Sequence, residues 1–223
     1  MTGVAERQPH RLSTPRAAAL AGVLFALLFG AALILIHTAL PAGAEPGSQW
    51  VDGATPQLRV AAVLMPFAGI AFLWFIGVIR DGFGRYEDKF FATVFLGSGL
   101  LFLAMMFVAS AVGVALVAGR GATTHDQMTA FGQTLVVALS KTYALRMAAV
   151  FMISLATIWL RTALMPRPLI YGTYLVALAL MAAAEVSMWL VLAFPAWVLV
   201  VSALIYSRAL TPRSPAALSP DTA

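Results

Sequence analysis

Long apolar runs, separated by short polar punctuation, limit this chain more than any other feature. Residues 17–40, 58–79, 90–117 and 142–164 are four such runs, and 168–208 is a fifth with room for two crossings. A bilayer crossing needs about 20 mainly apolar residues, so each run is long enough for a membrane-spanning helix. A water-soluble domain carries about 25% charged residues. Here the charged share is 10% and the hydrophobic share 61%. A soluble globule and a disordered chain are both excluded by that balance. The expected fold is all-α: a polytopic transmembrane helix bundle of about six spans, with both termini cytoplasmic.

Local signals set the expected span boundaries. Thr14-Pro15 and Thr55-Pro56 each pair a capping hydroxyl with a first-turn proline, the pattern of a helix start. Pro66 falls inside the second span and should kink it, because proline removes one helix hydrogen bond. The third run, 90–117, would extend about 42 Å as a helix. It must tilt or protrude from a hydrocarbon layer about 30 Å thick. Met128, Phe131, Leu135 and Leu139 then recur at helical spacing. They form either an interfacial amphipathic helix or the outer end of a long fourth helix. The last hairpin has two candidate turns, near Glu185–Met188 or at Phe194-Pro195. Balanced span length favours the first, and the steric restriction on the residue before proline favours the second.

Three segments follow: a polar basic stretch at 1–16, one transmembrane helical domain at 17–210, and a proline-rich tail at 211–223 expected to be disordered. The basic start, the apolar run and Ala42-Gly43-Ala44 resemble a cleavable leader. The run is longer than the 7–15 residues of a leader's apolar core, so a retained first span is expected. Arginine and lysine set the orientation. With six spans, Arg7, Arg11, Arg16, Arg80, Arg85, Lys89, Arg161, Arg167, Arg208 and Arg213 fall on one side, and Arg59, Arg120, Lys141 and Arg146 on the other. The richer side should face the cytoplasm. Arginine outnumbers lysine twelve to two, a bias typical of GC-rich bacterial coding, and a cell inner membrane is the expected location.

In lipid, helices associate through close backbone approach and interhelical hydrogen bonds. Ala18, Gly22, Ala26 and Gly30 recur every four residues along the first span, so a second helix or a second copy of the chain should lie on that stripe. Net charge is +5, but the basic residues punctuate the spans. Anionic lipid headgroups fit that arrangement and nucleic acid does not. The expected partners are the bilayer and another membrane protein or a second copy.

Few residues could carry chemistry. Glu185 is the lone acid inside a long apolar run. With the turn at Phe194-Pro195 it would lie in the membrane, where it could pair with Arg146; with the turn at Glu185 it would meet water. Glu185, Arg146 and His37 are the candidates for ion or proton handling. In the loop RDGFGRYEDK, Asp81, Arg85, Glu87 and Asp88 could dock a cytoplasmic partner. Ser98, in Gly97-Ser98-Gly99, resembles an intramembrane nucleophile but would need a base within reach. Cysteine is absent, which removes thiolate metal sites, and phosphate-loop, dinucleotide and zinc-protease motifs are missing. No cofactor or metal is expected. The tryptophans, mostly near span ends, read as interfacial anchors. A non-catalytic scaffold or accessory subunit is the expected role. A small transporter or channel using Glu185 is the alternative, and an intramembrane enzyme the second alternative.

Overall fold

The computed structural model describes residues 14–39, 55–81, 89–118, 126–183 and 188–210, and all of them are helical apart from the turn near Ala163. The helices are α1 (Thr14–Ala39), α2 (Thr55–Asp81), α3 (Lys89–Ala118), α4 (Asp126–Val137), α5 (Leu145–Thr162), α6 (Arg167–Ala183) and α7 (Ala193–Leu210). A π-helical segment, Ala138–Ala144, joins α4 to α5, and a 3₁₀ segment, Met188–Leu192, leads into α7. Among the described residues, five stretches are long and apolar enough to cross a membrane, and α6 is a shorter apolar helix.

The two threonine-proline pairs stand where α1 and α2 begin. Pro66 lies inside α2, where it leaves the carbonyl of Ala62 without its helix donor. The question at 126–140 resolves as a continuation. Gln127–Thr162 forms one 36-residue apolar rod, and Val137, Ala144 and Leu145 all keep right-handed helical dihedrals through the π segment. At 1.5 Å per residue the rod is about 54 Å long. The last hairpin follows the balanced-length alternative: α6 ends at Ala183 and helix resumes at Met188. Pro195 sits in the first turn of α7, where its missing N–H has no intrahelical role.

Neighbouring helices run antiparallel, and contact pairs give the register. Phe25 of α1 meets Phe72 of α2. Gly69 and Phe107, and Ile76 and Gly99, set α2 against α3. Phe95 and Phe151, with centroids 4.5 Å apart, set α3 against α5. Thr157 of α5 shares a 2.8 Å hydrogen bond with Tyr174 of α6. The Trp197 indole N–H of α7 donates to Thr173 Oγ1 of α6 at 2.9 Å. This bond lets Trp197 be buried, and Trp159 is buried beside it. Both are core residues instead of the expected interfacial anchors, whereas Trp74 is 70% exposed.

Phenylalanine fills the centre. Phe72 lies 4.6 Å from Phe25, 5.5 Å from Phe102, 5.3 Å from Phe151 and 5.8 Å from Phe194, between ring centroids. Those partners come from α1, α3, α5 and α7, and all five rings are essentially inaccessible. The distances fall in the range of favourable aromatic pairs, each adding about 0.5–1.5 kcal/mol beyond area burial.

The arginine-rich end of the bundle is closed by specific contacts. The Arg161 guanidinium lies 4.8 Å from the centre of the Phe91 ring, tying α5 to the start of α3. Arg208 Nη1 donates to the Leu164 carbonyl in the α5–α6 turn. That turn follows Ala163, held at φ 50°, a left-handed cap that glycine adopts at lower cost.

Three stability outcomes are expected. Phe72→Ala should cost about 3 kcal/mol, read as a lowered unfolding midpoint in mixed detergent–SDS micelles. Phe90→Ala, at an exposed ring, should change it by less than about 0.5 kcal/mol. An unshifted midpoint for Phe72→Ala would remove the central role assigned to that ring. In the same assay Ala163→Gly should stabilise by up to about 1 kcal/mol, and a loss would contradict the strained cap.

Candidate functional site

The stripe on α1 divides into unlike halves. A Cβ placed on Gly22 would collide with the Ser202 hydroxyl of α7 and come within 2.7 Å of the Phe75 ring of α2. Ala26 is buried one turn further on. Gly22 is therefore where three helices close on one another. A Cβ on Gly30 would meet nothing within 4 Å. The Ala18 side chain lies outside the described residues. Ser202 is fully buried and its Oγ has no hydrogen-bond partner, because the hydroxyl fills the space left by the missing Gly22 side chain.

The titratable candidates do not assemble into a described centre. Arg146 is half-buried in the first turn of α5. Glu185 lies outside the described residues, and so does the geometry of its expected pair with Arg146. His37 is in the last turns of α1, with its side chain outside the described set. Asp81 is exposed at the end of α2, while Arg85, Glu87 and Asp88 lie outside the described residues. Ser98 is buried, and its Oγ donates to the carbonyls of Val94 at 2.6 Å and Phe95 at 3.2 Å. Ser154 and Ser140 likewise donate to carbonyls four residues back. Among the described residues no three His, Asp or Glu side chains gather in a metal-binding group.

A different region draws several elements around one space. At the end of the bundle opposite the arginine-rich turns, a cleft of about 240 Å³ opens between α1, α2, α3, the end of α4, the π segment and the 3₁₀ segment. Its α3 wall runs from Met106 to Ala118, about 18 Å of helix. Met65, Met106, Ala61 and Ala109 form a buried floor. The walls are apolar with few exceptions: the hydroxyls of Ser110 and Ser140, and two cations, Arg59 and Lys141. Among the described residues, no acid lines it.

The spacing of the charges is informative. Arg59 and Arg80 are 21 residues apart on α2, and Lys141 and Arg161 are 20 residues apart on the α4–α5 rod. Both separations correspond to about 30 Å of helix, one hydrocarbon thickness. Continued along α3, the antiparallel register puts Arg59 near Val117 and Lys141 near Ala109, about two helical turns apart. The cleft was not foreseen. The signals for it were a lysine inside a mainly apolar 36-residue stretch that also holds Arg146 and Arg161, and an arginine one turn inside α2. The seven-residue π segment had no pattern of its own. No known protein family matches the chain, and neither does any curated protein or solved structure.

The two glycines should separate in experiment. Gly22→Leu should lower stability in detergent by about 1–3 kcal/mol or prevent folding. Gly30→Leu should stay within about 0.5 kcal/mol of the parent. Equal tolerance of both changes would show that α1 does not depend on close approach at Gly22.

Proposed function

We propose that this chain is a multi-pass integral membrane protein with a non-catalytic role, a scaffold or accessory subunit, in a bacterial inner membrane with both termini cytoplasmic. The observation that supports this best is the closed centre. Five phenylalanine rings from five helices occupy the middle of the bundle, each buried. A channel or transporter needs a polar or hydrated route between the faces, and at this level the described core offers only hydrocarbon. The buried hydroxyls of Ser98 and Ser154 are bonded within their own helices, so neither is presented to a general base as nucleophilic catalysis requires.

The bilayer is the first partner of such a protein. Leu20, Leu24, Phe67, Leu175 and Leu178 are large apolar side chains at least half exposed, which suits a surface in contact with lipid tails. The remaining partner would be another membrane protein or a second copy.

The test is reconstitution into liposomes loaded with a pH- or potassium-sensitive dye. Flux should equal that of protein-free vesicles, and Glu185→Gln should change nothing. Flux above background that Glu185→Gln abolishes would overturn the non-conducting reading in favour of ion handling at Glu185. Reporter fusions at either terminus should both report the cytoplasmic side.

A further inference from the structure

The cleft opposite the arginine-rich end combines features that the central packing does not explain. Its floor is apolar, and its wall on α3 extends from Met106 to Ala118, about 18 Å of helix. Arg59 and Lys141 line it, and no carboxylate is among the described residues of its walls. Asp81, the acid whose side chain is described, stands at the far end of α2. Lys141 is half-buried and Arg59 exposed, so the cleft pairs a cation in its wall with one at its edge, and both attract an anion. Both cations have long flexible stems that can bring their charged groups to a common level. The π segment that carries Lys141 is a geometry found often at functional sites.

We propose that this cleft is a binding site for an anionic phospholipid. Its phosphate sits between Arg59 and Lys141, and one acyl chain lies along α3 toward Met106 and Met65. The long apolar wall on α3 favours a hydrocarbon chain over a compact polar solute. The cations select a negative headgroup at the level where such headgroups lie. Gly113 is the gate for the chain: it lines the cleft, and a Cβ placed on it meets nothing within 4 Å. The inference rests on membrane insertion. A requirement for detergent to keep the protein dispersed reports that insertion separately from any lipid preference.

The experiment measures binding of lysophosphatidylglycerol and lysophosphatidylcholine to the full-length protein in neutral detergent, with inorganic phosphate as a third probe. The anionic lipid should bind about tenfold or more tightly than the zwitterionic one. The double change Arg59→Gln, Lys141→Gln should erase that preference. Gly113→Phe should weaken both lipids while leaving the unfolding midpoint near that of the parent, because the added ring enters open space. Inorganic phosphate should compete poorly, since it lacks the chain. Equal binding of the two lipids, no effect of the charge changes, or phosphate competing as well as the lipid would each overturn the proposal. If the protein stays dispersed without detergent, the membrane reading itself fails.

Discussion

The ring of Phe72 is the contact on which the other features depend. In water, burying such a ring would be driven by solvent. In lipid that drive is nearly absent, because tails are as apolar as the side chain, and shape decides instead. Phe72 meets rings from α1, α3, α5 and α7 within 6 Å. Moving any of these helices by one residue would separate its ring from this centre. The cluster therefore fixes the register of five helices at once. α6 does not reach it and is held by hydroxyl and indole hydrogen bonds, Thr157 to Tyr174 and Trp197 to Thr173.

Rings can converge only if the backbones come close enough. Gly22, Gly69, Gly99 and Gly132 supply that closeness, each with a neighbouring side chain in the space its own would take: Phe75, Phe107, Ile76 and Leu116. Large and missing side chains thus interlock along α1, α2, α3 and α4. Gly30, Gly77, Gly97 and Gly172 have no such neighbour. The contrast shows why a small residue in a transmembrane helix is not by itself a packing site. What matters is whether a neighbour fills the vacancy.

Much of the architecture was legible because lipid imposes a length rule. The apolar runs, the threonine-proline starts and the arginine turns mark helix ends within a few residues; for the last turn span length and the proline rule pointed to different places, and the helix bounds agree with span length. Periodicity could not reveal which face of an almost uniformly apolar helix is inside. Leu24 and Phe25 are adjacent and similarly apolar, yet Leu24 is half exposed and Phe25 fully buried. The tryptophans misled for a related reason. Trp197 sits near a helix start, where an anchor is expected, but Thr173 on another helix supplies its hydrogen-bond partner. The cleft was hidden because it is lined by residues from four helices and two irregular segments, and single charges at run ends read equally well as boundary markers.

The two ends of the bundle are built differently, and that asymmetry says where a ligand or partner can act. At the arginine-rich end the cations are engaged by the protein itself, Arg161 by the face of Phe91 and Arg208 by the Leu164 carbonyl. At the opposite end Arg59 and Lys141 line an open apolar cleft with no acid among its described walls. A cation satisfied by its own fold adds rigidity. A cation beside an open cleft keeps its field for something outside the chain. Between the two ends stands the phenylalanine core. The helix that joins core and cleft is α2, which places Arg59 in the cleft and Phe72 in the core, so a shift of α2 would be felt at both.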